Sequence, residues 1–145
     1  MAEGIFKKMV EESGMAHLIE IDSAGTAAYH AGDLADPRMR LTAKGKGIEL
    51  THRARKVRED DLTTFHYILA MDQYNLTDLT HPHFEISAEI YLMRKFDPHF
   101  PDTDVPDPFY GTHRGFEEVF EILERSCGGL LNYINETRKL RGGWW

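Results

Sequence analysis

Residues 60–76 read DDLTTFHYILAMDQYNL, Asp60 to Leu76, and the fold turns on how the middle of this stretch is read. Tyr67 to Met71 is an apolar run compatible with a strand covered on both faces. In front of it, Arg58 to Leu62 has the composition of a short helix. Behind it, Asp72 is followed by Tyr74 to Leu79, which reads as a helical turn or more.

The same alternation continues outward. Ala2 to Ser13 is an amphipathic helix with Ile5, Met9 and Val10 inward and Gly14 as its cap. His17 to Ile21, HLIEI, alternates as a strand and runs into the small polar residues Asp22-Ser23-Ala24-Gly25-Thr26. Asp36-Pro37 supplies an N-cap and a proline at the first helical position, and Gly45 and Gly47 close the helix that follows. Ile90 to Phe96 is a last strand candidate, and a long helix runs from about Arg114 to Thr137. Alternating strands and helices predict an α/β layer fold with a parallel sheet, whose ligands bind beyond the carboxyl ends of the strands. Asp22-Ser23, Asp72 and the segment Val105 to Gly111 (VPDPFYG) all lie at or after such ends.

A chain of 145 residues, 41% hydrophobic and 28% charged, predicts one domain over residues 1–145. No repeat, linker or low-complexity segment is present. The tail Arg138 to Trp145 (RKLRGGWW) fits no element and is expected to be flexible; Trp144 and Trp145 have no physical account. A net charge of −7 with no basic stripe argues against nucleic acid as a partner. No apolar run has the length of a membrane helix, and acids stand among the first residues, so the expectation is a cytoplasmic protein with no membrane partner.

The single cysteine excludes an intramolecular disulfide and a cysteine-rich zinc site. Cys127 shares a helical stripe with Phe116, Phe120, Leu123 and Leu130, which reads as a core thiol. His81 and His83 lack a third ligand at set spacing, so no metal is expected, and no cofactor.

Asp107 stands between Pro106 and Pro108, which fix their own φ and bias the residue before each towards extended backbone. Its carboxylate therefore belongs to a stiff loop. Taken alone, this is either a rigid turn with a solvated acid or an acid that is aimed at something.

Taken together, MAEGIF, the DSAGT loop, GIELTHRARKV, DDLTTFHYILAMDQYNL and VPDPFYG with its following GFEEVFEILE resemble the low-molecular-weight protein tyrosine phosphatases in order and spacing, over nearly the whole chain. The resemblance implies a three-layer sandwich with a parallel sheet and the hydrolysis of aryl phosphate monoesters through a cysteinyl-phosphate. The partner implied is a phosphotyrosine-containing protein or a small aryl phosphate. It also makes Asp107 the general acid, which protonates the leaving phenolate and later takes a proton from the hydrolytic water. Tyr29 is implied as one wall of an aromatic slot and Tyr110, beside Phe109, as the other; Phe109 replaces a tyrosine frequent in the family. Ser23 and His52 match positions that hold the shape of the nucleophile loop, and Asp72 with Asn75 matches a rim segment. Ordinary packing is the alternative for each ring, a structural histidine for His52 and an N-cap for Asp72.

The family's nucleophile sits in a loop of the form C-x-x-x-x-x-R-[ST], after a first strand and before a helix beginning with Ala-Glu. The 145 residues contain no such loop, and Cys127 has no arginine five or six residues after it. The expectation is a chain truncated at its N-terminus, lacking the nucleophile cysteine, the phosphate-binding arginine and an interior strand of the sheet, and therefore inactive as it stands. HLIEI and YILAM would each lose a partner, leaving the chain unstable or rearranged. A start at an internal methionine is the first explanation. A non-catalytic short form acting as a binding or competing module is the alternative. Arsenate reduction ranks lower, because it relays a disulfide through further cysteines.

Overall fold

The computed structural model describes residues 1–27, 31–80, 85–108 and 113–139. Helix α1 (Ala2–Glu12) buries Ile5, Phe6 and Val10 along one face. It stops where Gly14 takes φ +73°, which glycine adopts without steric cost. The N–H of Gly14 then reaches Glu11 O and that of Met15 reaches Val10 O, so the last carbonyls are satisfied while Met15 folds into the core. Helix α2 (Pro37–Gly45) starts on the Asp36 carboxylate, which accepts from Arg38 N at 2.8 Å. It ends as α1 does: Gly47 lies at φ +80°, and Ile48 N–H bonds to Ala43 O.

The short helix α3 (Asp61–Thr64) leads into β1 (Tyr67–Ala70). Helix α4 (Gln73–Thr80) returns the chain to β2 (Glu89–Leu92), which pairs with β1 in parallel, Tyr67 opposite Glu89 and Ala70 opposite Leu92. Side chains of β1 alternate between two cores, as the two-residue period requires. Tyr67 and Leu69 pack on the main core with α1 and α5 (His113–Arg138). Ile68 and Ala70 pack on a smaller cluster with Leu62 of α3 and Leu79 of α4. The result is an α/β domain with a parallel sheet and helices on both faces. No helix among the described residues is long and apolar enough to cross a membrane.

Three expectations need correction. HLIEI forms no ladder among the described residues, although Ile19 and Ile21 still lean on the main core while Glu20 is exposed. The side-chain pattern of a strand is present without its hydrogen bonds, because the described residues place no strand beside it. YILAM is less enclosed than a fully covered strand: only Ala70 is buried and residues 67–69 are half-buried, since the sheet has two strands. The last strand stops at Leu92, and Met93–Phe96 wind into a 3₁₀ turn closed by the Asp97 N–H on Arg94 O. At the chain's end, α5 takes in Arg138, whose Nε donates to the Tyr67 hydroxyl at 2.9 Å; residues 140–145, with Trp144 and Trp145, lie outside the described residues.

Candidate functional site

The loop after the 3₁₀ turn carries Asp107, and it is anchored from both sides. Val105 is buried, and its N–H donates to Met71 O at 2.7 Å, one residue past the end of β1. Asp104 Oδ1 accepts from Gln73 N at 2.9 Å, at the first residue of α4. Pro106 follows, then Asp107, which is exposed. The acid therefore stands just beyond the carboxyl end of β1, where ligand sites of parallel sheets form.

A second set of residues gathers around Glu3, in the first turn of α1. Its side chain is only 9% exposed, and its Oε1 accepts from Ser23 Oγ at 3.0 Å. His52 Nδ1 lies 3.4 Å from Glu3 Oε1 and 3.6 Å from Asp22 Oδ1. His52 Nε2 is buried with no hydrogen-bond partner among the described residues. Arg55 ties Asp22 to Asp61, at 3.1 Å and 2.9 Å. Burial raises the Asp61 carboxyl, but hydrogen bonds from Arg55 and from Arg58 N outweigh it and hold the pKa below the ordinary value. Ser23, His52, Glu3, Leu34 and Arg55 line an open cleft of about 240 Å³.

One turn of α4 connects the two sets. Asp72 caps it, its Oδ1 accepting from Asn75 N at 2.8 Å. Asn75 Nδ2 reaches Thr26 Oγ1 of the DSAGT loop at 3.4 Å, while Gln73 holds Asp104. The structure thus brings Ser23 and His52 to one carboxylate and links that region to the acid loop through α4. Tyr29, Phe109 and Tyr110 lie outside the described residues, as do His81 and His83.

Cys127 is 1% exposed within the main core, and burial pushes its thiol up to about 12, so it is not a thiolate at neutral pH. Glu3, Asp22 and His52 offer three donor atoms within 4.8 Å of one another, a set of the type that divalent cations accept. Lys7, 3.4 Å from Glu3, and Arg55 already balance those two carboxylates. Sequence reasoning missed Glu3, Arg55, Arg94 and Asp104. Only Glu3 carried a local signal, as an acid in the first turn of a helix.

Comparison with known proteins gives the family. The family model described as low molecular weight phosphotyrosine protein phosphatase matches residues 1–140. A low molecular weight protein-tyrosine-phosphatase of Streptomyces coelicolor is 39% identical over 140 residues, which are 94% of this chain and 85% of that protein. The low molecular weight phosphotyrosine protein phosphatase of Gallus gallus is 37% identical, over 90% of this chain and 84% of its own. The crystal structure of a protein tyrosine phosphatase from Entamoeba histolytica superposes with a TM-score of 0.88 at 36% identity, covering 94% of this chain and 88% of that one. By sequence and by architecture, the chain belongs to the low molecular weight phosphotyrosine protein phosphatase family.

Proposed function

We propose that this chain supplies the general acid and the supporting scaffold of an aryl phosphate monoesterase acting on phosphotyrosine, and that these 145 residues alone do not hydrolyse phosphate. The observation that carries the first half is the exposed Asp107, held in a proline-stiffened loop just past the end of β1 by Val105 and Asp104. The second half is supported by Cys127, the chain's single thiol, which is buried and protonated. In the family's chemistry a thiolate attacks phosphorus as the P–O bond to the phenol breaks, and a loop arginine holds the equatorial oxygens. Asp107 gives its proton to the departing phenolate, then takes one from the water that cleaves the S–P bond, which returns the thiolate and releases phosphate. Ser23 and His52 support the nucleophile loop in this reading. The buried His52 Nε2, without a hydrogen-bond partner among the described residues, has a hydrogen bond to offer such a loop. By family resemblance Tyr29, Phe109 and Tyr110 are the residues assigned to the phenyl ring, and in this reading the protein works in the cytoplasm, with no cofactor. The same buried thiol counts against arsenate reduction, which needs reactive cysteines.

Hydrolysis of p-nitrophenyl phosphate tests the proposal with two proteins. One is the 145-residue chain. The other is a version extended upstream by a strand and a C-x-x-x-x-x-R-S loop. Activity is expected in the extended version only. Turnover by the pure unextended chain, or an inert extended version, would overturn the reading. The expected instability of the unextended chain has its own check, since a cooperative thermal transition in that protein contradicts it.

A further inference from the structure

Arg94 does two things with one guanidinium. It is 8% exposed, and its Nε donates to Asp97 Oδ2 at 3.2 Å while Nη1 donates to the backbone carbonyl of Asp104 at 3.2 Å. Asp97 does not depend on it for satisfaction. Arg125 of α5 already gives that carboxylate two hydrogen bonds, at 3.1 and 3.2 Å, and the His99 N–H gives a third at 2.9 Å. Asp97 thus fixes the guanidinium, and the guanidinium grips Asp104. The ring of Phe100 lies below it, 5.4 Å from Cζ, and the Arg94 carbonyl accepts from the N–H groups of Asp97 and Asp102. The whole excursion from Asp97 to Asp104 is folded around this one residue.

Asp104 is held on its other side by Gln73 N, and Val105 by Met71 O. Two residues further on stands Asp107, and between them Pro106 removes one of the few remaining soft torsions. An orientation fixed at Asp104 is therefore passed on to Asp107. We infer that Arg94 and Asp104 are positioning residues for the general acid, a clamp that sets where the Asp107 carboxyl points. The inference rests on the reading of Asp107 as the acid.

The test uses Arg94→Met, Asp104→Ala and Asp104→Asn. In the extended protein, kcat/KM is measured for phenyl phosphate, whose leaving group needs a proton, and for 2,4-dinitrophenyl phosphate, whose leaving group does not. Arg94→Met should lose roughly tenfold on phenyl phosphate and at most about twofold on the dinitrophenyl ester, and should add nothing to Asp107→Asn in the double variant. Asp104 is exposed, so its variants fold even if Arg94→Met does not. Asp104→Ala should show the same selectivity, and Asp104→Asn, which keeps the acceptor for Gln73 N, should restore it. Equal losses on both esters, or losses additive with Asp107→Asn, would overturn the inference. A readout independent of catalysis separates it from the functional proposal. Amide exchange at Val105 should quicken about tenfold in Arg94→Met and Asp104→Ala while α5 amides stay protected, measured in the 145-residue chain or, if that does not unfold cooperatively, in the extended one. Unchanged exchange at Val105 removes the clamp even if the enzyme proves active; faster exchange in an inactive protein keeps the clamp and removes the function.

Discussion

Asp97 and Asp107 belong to one loop and have opposite surroundings. The Asp97 side chain is fully buried among Arg94, Arg125 and the His99 N–H, whereas Asp107 is exposed between two prolines. Burial alone would raise the Asp97 carboxyl, but the hydrogen bonds of Arg125 and His99 and the charge of Arg94 hold it down at about 2. A carboxylate so surrounded cannot serve as a proton donor near neutral pH; it organises its neighbours. Asp107 has the stiffness of its backbone supplied by the flanking prolines, and the residue is exposed. Burial, and not residue type, separates the structural acid from the candidate catalytic one.

The largest expected effect is at the exposed member. Asp107→Asn in the extended protein should slow phenyl phosphate turnover by roughly 10²–10⁴-fold while leaving stability within about 0.5 kcal/mol. A large loss of stability would mean that Asp107 is a structural acid like Asp97. The reverse holds for Asp97→Ala. It removes one hydrogen bond from the buried Arg94 and two from Arg125, and should destabilise the extended protein by about 3–5 kcal/mol in denaturant unfolding. A cost under 1 kcal/mol would show that the arginines find water instead.

Gly129→Ala probes the same buried end. A Cβ there would collide with the Phe96 carbonyl oxygen, so α5 and the 3₁₀ turn must part. About 1–3 kcal/mol of destabilisation is expected, without the leaving-group selectivity of the Arg94 variants. The smallest effect is in acid. The Asp97 pKa lies below its unfolded value of 3.8, so its contribution is fully present above about pH 4 and is lost as pH falls towards 2. Wild type should therefore lose stability over that window more steeply than Asp97→Asn; parallel curves would break the assignment.

Much of the fold was legible because it rests on local signals. Asp36-Pro37, the glycines at 14 and 47 and the apolar stripe of α5 each state a boundary or a face within a few residues. HLIEI reads as a strand yet forms no ladder among the described residues, for a non-local reason: its alternation survives, but a strand is made by its neighbour, and the loss of that neighbour was expected from family resemblance alone. The 3₁₀ turn at Met93 was hidden because Arg94 looks like an ordinary basic residue at a strand end until its contacts with Asp97 and Asp104 are seen. Of the site, the stiff setting of Asp107 was legible from its two prolines, but its role, and Ser23 and His52 altogether, could be assigned only by resemblance to a family. Glu3, which joins the last two, sits twenty residues before Ser23 and forty-nine before His52, too far for spacing to reveal.

The first turn of α4 has one further consequence. Because Asn75 holds Thr26 and Gln73 holds Asp104, the DSAGT loop and the loop of Asp107 share a single hinge pin. A substitution that tilts that short helix is therefore expected to disturb both loops at once.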